Sequence, residues 1–384
     1  MIKKVLLVTS EFPPGPGGIG NHAFSLAKHL AKKGIEVTVM ADTNYADKQE
    51  VVLFDESLPN NIEVKRIKRV WVFTYFLRFW HLFSLVMKQK FDGAIFSGKF
   101  SLWLCGVLKT SGSKLLSIGV LHGSEIQISH RLSRKVTDWG IAHLDFLVPV
   151  SHFTHSLLNK DLQKKPFRIV ENGIDVAEFQ LLSQGVGSGN IKLKGDPVLL
   201  TVGNVTYRKG QHRVIKAIPE ILKEMPNAHY HIVGLPTCKS EFEQLATSLN
   251  VNDSVTFHGR LPRREDLAEA YRQAECFLIL SENQSDGDVE GFGIVILEAN
   301  YFGVPAVGAK GCGIDDAIEN GYNGFLVEGN TPSEIAASIK KVVTQRAFFS
   351  KNAVKWANDH DWNVVVEKYV DVLNKLLKNK QREN

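Results

Sequence analysis

Two short apolar runs, Val5–Thr9 (VLLVT) and Val198–Val202 (VLLTV), sit half a chain apart and open the same pattern. A run without polar alternation reads as a strand covered on both faces, which points to a parallel sheet flanked by helices. After the first run, a Pro/Gly loop leads into helical spacing of Leu26, Leu30 and Ala23, Ala27 and Ala31. Gly34 closes that helix, and Ile35–Met40 reads as the next strand, so the chain begins βαβ. After the second run, the loop Gly203–Gly210 precedes a helix over 215–223 and a strand at His229–Val233. Further strands are expected at Gly93–Ser97, Leu115–Leu121 and Leu147–Val150, then at Val255–His258, Cys276–Leu280 and Pro305–Val307. Between the halves, Ser183–Asp196 turns to Ser, Gly and Lys, the composition of a linker. A length of 384 residues also favours two cores over one. The expected architecture is therefore α/β, with two doubly wound domains at 1–182 and 197–361 joined by a linker at 183–196. Residues 362–384 are expected to form an amphipathic helix, packing back on the first domain and fraying from Lys378 onward.

Composition excludes several classes. An apolar content of 44% and a charged content of 23% are ordinary for a soluble globular chain, and a net charge of +5 does not argue for nucleic acid. Cys105, Cys238, Cys276 and Cys312 are far apart, show no metal-ligand spacing, and read as reduced thiols of a cytoplasmic protein. The N-terminal apolar run is too short for a signal peptide, and no stretch of ~20 apolar residues is available to cross a membrane.

The chemistry concentrates in Gly287–Ala299 (GDVEGFGIVILEA). Its Gly-rich half reads as a loop, and Ile294 onward reads as the start of a buried helix. Such an entry aims the N–H groups of Gly293, Ile294 and Val295 at whatever lies in front, which suits an anion or a sugar hydroxyl. Glu290 falls at the mouth of this helix, and Glu298 is expected a little over two turns in. Two acceptors flanking an anion site match a nucleotide-sugar, with hydroxyls at both ends and phosphate in the middle. Arg208 and Lys209 follow a strand end and are expected to face this loop, Arg with bidentate geometry and Lys as a point charge. His122 ends another strand, where a parallel sheet faces its ligand. Asp286-Gly287-Asp288 mimics a metal-binding DxD, but nothing nearby adds oxygen ligands, so no metal is expected.

Gly15, Gly17 and Gly20 satisfy GxGxxG, with Asp42 about where a dinucleotide fold places its ribose-binding acid, so a dehydrogenase is one reading. Against it, Ser10–Pro14 separates the glycines from the strand. The glycines can serve a diphosphate under either reading. Val70–Met87 (VWVFTYFLRFWHLFSLVM), preceded by Lys65, Arg66, Lys68 and Arg69, reads as a packed helix before the next strand, with a membrane-surface helix as the alternative.

Several motifs then fall in one order: GGIG (Gly17–Gly20), HGSE (His122–Glu125), ENGID (Glu171–Asp175), RKG (Arg208–Gly210), FHG (Phe257–Gly259), EGFGIVILEA and GVPAVGAKGCGIDDAIENGYNGFLV. In these the chain resembles the family-four retaining glycosyltransferases of the GT-B fold, in the style of bacterial mannosyltransferases that modify phosphatidylinositol. The resemblance implies two Rossmann-like domains facing across a cleft, no metal or other cofactor, and a UDP- or GDP-sugar donor. It implies that Gly17 and Gly18 approach the donor diphosphate on the acceptor side, that His122 lies beside the transferred sugar, and that Arg208 and Lys209 neutralise the diphosphate. Glu290 and the backbone of Phe292, Gly293, Ile294 and Val295 would hold sugar hydroxyls, and Glu298 the ribose. Gly234, Gly259 and Arg260 would line the donor site, the last two near the base. The family commonly has arginine five positions before the lysine, and here Asn204 stands there, leaving Arg208 to compensate. The implied acceptor is a glycan, lipid-linked or small molecule in polysaccharide or glycolipid synthesis, handled in the cytoplasm, with room for peripheral contact at the inner membrane face. The same residues also admit a sugar-nucleotide epimerase or a non-catalytic carbohydrate-binding protein.

Overall fold

The computed structural model describes residues 1–15, 17–42, 47–70, 73–184 and 189–383. Contacts divide the chain into two units, Met1–Asn172 with Trp362–Asn384, and Gly173–Asp361. The first unit is built on β1 (Lys4–Thr9), β2 (Glu36–Asp42), β3 (Ile62–Ile67), β4 (Gly93–Ser97), β5 (Ser117–Leu121) and β6 (Phe146–Pro149). These run parallel in the order β3-β2-β1-β4-β5-β6. The second unit holds β7 (Val198–Val202), β8 (His229–Val233), β9 (Val255–Gly259), β10 (Cys276–Ile279), β11 (Ala306–Ala309) and β12 (Gly324–Val327), in the order β12-β11-β10-β7-β8-β9. Each sheet is thus wound outward from its centre in one direction and then in the other. Chains leaving β1 and β4, and those leaving β7 and β10, diverge to opposite faces, which opens a crevice at the carboxyl ends of each pair.

The apolar runs form the sheet centres because helices cover both faces. Leu6, Val8, Phe96 and Leu121 pack in the first core, and Leu199, Ile215, Tyr230 and Leu278 in the second. β3 and β12 lie at sheet edges, where pairing on one side suffices. β3 carries Glu63, Lys65 and Arg66 among its apolar residues, so it lacks the pattern of a doubly covered strand. The basic stretch before Val70 is therefore partly strand.

The domain boundary falls earlier than the Ser/Gly/Lys composition suggests. Val176–Gln184 is a helix of the second unit, and the described part of 183–196 lies along the helix Arg264–Gln273. The N–H of Asn190 donates to Asp266 at 2.8 Å, that of Leu193 donates to Gln273 at 2.9 Å, and Arg272 donates to the Leu182 carbonyl at 2.6 Å. Side chains of one helix satisfy this polar segment, so it belongs to the second unit.

The last helix, Trp362–Glu383, belongs to the first unit. Trp362, Val365, Val366, Tyr369 and Leu373 are buried. Trp362 stacks on His29, and the Tyr369 hydroxyl lies 3.2 Å from Nε2 of His22, both in the helix Gly18–Lys32. The helix continues to Glu383 rather than fraying from Lys378. Among the described residues, no helix is long and apolar enough to cross a membrane.

Candidate functional site

In the second unit, the crevice between β7 and β10 collects the charged residues. β7 ends at Val202, and the chain passes through Gly203 and exposed Asn204 into a short 3-10 turn, Tyr207–Lys209. Gly210 follows with φ 75°, and a Cβ there would overlap the Leu280 carbonyl at the end of β10. Only glycine lets the turn press this close to the neighbouring strand. The contact is fixed from both sides. The Glu282 N–H donates to the Arg208 carbonyl at 2.9 Å, and Arg213 donates to the Leu280 carbonyl at 3.2 Å and pairs with Glu282. Arg208 and Lys209 are thereby delivered to the loop that follows β10.

That loop brings up Glu290. Its Oε2 accepts from Lys209 Nζ at 2.5 Å and from Arg208 Nη1 at 2.7 Å, while Arg208 Nε donates to Asp288 at 2.9 Å. Glu290 is buried. Burial pushes its carboxyl up, but the charges of Lys209 and Arg208 and their hydrogen bonds outweigh burial and hold it below the usual range. From behind, Gly313 donates its N–H to the Glu290 carbonyl at 2.8 Å, and a Cβ on Gly313 would overlap the Gly291 backbone. The glycine-rich segment after β11 is thus the seat of the Glu290 loop. Asp288, discounted in the DGD motif, tethers Arg208, and Asp286 accepts the Asp288 N–H at 3.0 Å.

Gly293, with φ 90°, caps the helix Ile294–Tyr301, and as glycine it supplies no side-chain cap to the first N–H groups. Phe292 is fully buried, so at this position only backbone is available to a ligand. Glu298 is the fifth residue of the helix, just over one turn in rather than two. Its Oε2 accepts from the buried Tyr271 hydroxyl at 2.8 Å, and burial raises its carboxyl against the lowering effect of that bond. Gly234 and Gly259 follow along the carboxyl edge of the sheet. The Gly234 N–H donates to the Gly259 carbonyl at 2.9 Å, and a Cβ on Gly234 would overlap the Gly203 carbonyl. Arg260 is exposed beyond β9.

In the first unit, the corresponding edge gathers Glu11, Gly17–Gly20, Ser97 and His122. The His122 ring Nε2 lies 2.9 Å from the Ser97 hydroxyl at the end of β4, and the His122 N–H donates to Glu125 at 2.5 Å. The His22 ring meets His122 edge-on at 4.9 Å. Burial lowers His122 to about 4 and raises the Glu125 carboxyl to about 7. The loop before the first helix, expected to offer its N–H groups to phosphate, holds the protein's own Glu11. A Cβ on Gly17 would overlap the Glu11 carboxylate, which also accepts a backbone hydrogen bond from Gly20, whereas Gly18 faces open space. Glu11, Glu125, His22, Ser97, Asp288 and Tyr271 were not among the site residues expected from sequence. Glu125 stands in the HGSE motif, and Glu11 two residues past β1, a position that a strand-end search finds.

Asp42, the ribose acid of the dehydrogenase reading, is buried and occupied. Arg78 Nε donates to it at 3.0 Å and pairs with it again through Nη2, and Arg69 donates at 3.2 Å. With both oxygens engaged, nothing favours a dinucleotide there.

Comparisons with known proteins address the family and the fold. A model described as Glycosyltransferase Family 4 matches residues 16–178, and one described as Glycosyl transferases group 1 matches 189–359. A GDP-mannose-dependent monoacylated alpha-(1-6)-phosphatidylinositol monomannoside mannosyltransferase of Corynebacterium glutamicum is 26% identical, the match covering 97% of this chain and 98% of that protein. Among solved structures, a sucrose-phosphate synthase from Thermosynechococcus elongatus shares the fold with a TM-score of 0.76 at 17% identity, over 98% of this chain and 100% of that one. Anabaena HepE, in complex with UDP and glucose, does so with a TM-score of 0.72 at 19% identity, over 97% and 100%. The two Rossmann-like units are those of the GT-B architecture.

Proposed function

The chain belongs to the glycosyltransferases that join a family 4 domain to a group 1 domain, and on that premise we propose that it transfers a hexosyl unit from a nucleoside diphosphate sugar, with retained anomeric configuration. The acceptor is a glycan or lipid-linked molecule of polysaccharide or glycolipid synthesis. The observation that carries the reading is the pairing of Arg208 and Lys209 with Glu290, across the β7–β10 switch point and ahead of an uncapped helix. Two cations and helix N–H groups suit a departing diphosphate, and a buried carboxylate beside them suits sugar hydroxyls.

In this mechanism the bond from the anomeric carbon to the phosphate oxygen lengthens, and positive charge builds on the sugar. Lys209, Arg208 and the N–H groups of Ile294 and Val295 act where negative charge grows, so they stabilise the transition state more than the bound donor. Glu290 first neutralises the cations. An arriving diphosphate competes for them and releases the carboxylate to accept from the sugar. The acceptor oxygen attacks on the face that the phosphate leaves, and its proton passes to the leaving phosphate oxygen, so no separate base is required. Glu298 takes the ribose, Gly234, Gly259 and Arg260 line the nucleotide, and Asn204 leaves Arg208 as the second cation. In the first unit, His122 serves the transferred sugar, and Gly18, which faces open space beside the Glu11-occupied Gly17, serves the acceptor side. No metal or other cofactor has a role in these steps.

The test incubates the full chain with UDP- and GDP-sugars and reads thermal stabilisation, then nucleoside diphosphate release on adding acceptor lipid or glycan extracts. Stabilisation by one donor and an anomeric coupling constant equal to that of the donor are expected. Stabilisation by NADH, or a glycoside of inverted configuration, would overturn the proposal.

A further inference from the structure

The helix Phe73–Lys88 packs only one of its sides. Thr74, Arg78 and Leu82 are buried, and Leu77, Phe79, Leu85 and Val86 rest on the first core. Phe73, Phe76, Trp80, Phe83 and Met87 lie on the opposite side, at spacings of three and four residues that bring them onto one stripe. Their exposures are 69, 64, 60, 37 and 70%. A helix apolar all round is ordinarily covered all round, and a continuous exposed aromatic stripe marks an interaction surface. The packed-helix reading therefore describes only half of this element.

Charge selects the occupant. From residue 64 to residue 91 the chain holds seven Lys and Arg and no acid. Lys68 precedes the stripe, Lys88 and Lys90 follow it, all three are exposed, and none has an acidic partner among the described residues. Against a second copy of the same face, these cations would meet cations. Against an anionic bilayer, aromatic rings enter the headgroup boundary while lysines at both ends reach lipid phosphates. The helix follows β3, so its aromatic N-terminal end starts from the same sheet edge that carries Gly17–Gly20 and His122. We propose that the stripe Phe73–Met87 with Lys68, Lys88 and Lys90 seats the protein on an anionic lipid surface. This bears on where the proposed transfer reaction takes place and not on which donor it uses.

The experiment sediments the full chain with vesicles of phosphatidylcholine, with and without phosphatidylglycerol, and compares F76S/W80S. Both side chains are exposed and away from the proposed site, so the fold and donor-induced thermal stabilisation are expected to persist in the variant. The wild type is expected on the anionic vesicles, released by high salt, and at least about tenfold more weakly bound in the variant. A protein left in the supernatant, or a variant that binds like the wild type, would overturn the proposal. So would binding indifferent to the anionic lipid, or a dimer in solution that F76S/W80S dissolves. Vesicle binding is read without turnover, so its failure is distinct from a failure of donor binding.

Discussion

Lys209 Nζ lies 2.5 Å from Oε2 of Glu290, the same oxygen that accepts from Arg208 at 2.7 Å. One buried carboxylate oxygen thus holds two cations, and the balance is shared, because burial alone would push Glu290 the other way. The first prediction separates the partners. Lys209→Ala removes a charge from the site of the leaving diphosphate and is expected to lower turnover by about 10²–10³-fold. Asp288→Asn removes only a half-exposed tether of Arg208. Exposed pairs contribute ~0–1 kcal/mol, so turnover is expected to stay within about fivefold. Steady-state nucleoside diphosphate release on both variants checks the contrast.

Glu290→Gln should divide binding from transfer. It keeps the shape and removes the charge that occupies Lys209 and Arg208. Nucleoside diphosphate without sugar should then bind at least as tightly as to the wild type, because it no longer competes with a carboxylate. Transfer should fall by about 10²-fold or more. Calorimetric titration with UDP and GDP, beside a turnover assay, reads both. Weaker nucleotide binding in this variant would contradict the exchange of partners at Glu290.

Much of this was legible because buried parallel strands write themselves as apolar runs. Val5–Thr9, Gly93–Ser97 and Val198–Val202 were readable, and the motif GDVEGFGIVILEA pointed to the Glu290 loop and its cations. What escaped follows a physical pattern. The edge strand β3 carries charges in place of such a run, and β12 is only four residues long with its two central residues half-buried. The segment 183–196 looks like a linker by composition, whereas the N–H groups of Asn190 and Leu193 within it donate to Asp266 and Gln273, which no local pattern announces. The occupation of the Gly17 loop by Glu11 is likewise a long-range fact. Asp42 matched a dinucleotide pattern by spacing, while its actual partner, Arg78, stands thirty-six residues later.

A pH prediction rests on Glu125. Burial raises its carboxyl to about 7 in the folded protein, against an ordinary 4.5, and the N–H of His122 opposes the rise only in part. Between those values the folded state holds a proton that the unfolded chain has released, so this group's contribution to stability falls as pH rises from 4.5 to 7. Glu125→Gln should therefore be more stable than the wild type above pH 7, the difference vanishing below pH 4.5. His122, lowered to about 4, acts with the opposite sign: the unfolded chain binds its proton first, so stability rises with pH between 4 and 6.5. The two slopes oppose each other in the wild type. Urea unfolding of the wild type, Glu125→Gln and His122→Asn across this range gives each group's slope as the difference between wild type and variant, since His22, His212 and His229, also lowered by burial, contribute equally to both.

The last prediction concerns the anchor beneath the aromatic stripe. Arg78 points inward from the helix Phe73–Lys88 and is 5% exposed, as is Asp42 at the end of β2. Its guanidinium lies 4.7 Å from the Phe100 ring centroid, so aromatic and aliphatic walls surround the pair. Removing one charge from such a site strands the other without water, a loss of about 3–5 kcal/mol. Asp42→Asn should therefore destabilise the first unit by that order, and Arg78→Leu by a similar amount, though Arg69 still contacts Asp42 and softens the second. The double variant Asp42→Asn/Arg78→Leu leaves no buried full charge at the pair and should recover part of the loss. Urea denaturation of the four proteins gives the coupling directly. Because the pair fixes the helix to the sheet, loss of Asp42 should also weaken vesicle binding by the aromatic stripe, whereas NADH should bind none of the four. A stable Asp42→Asn variant would mean that the helix is held by its apolar face alone.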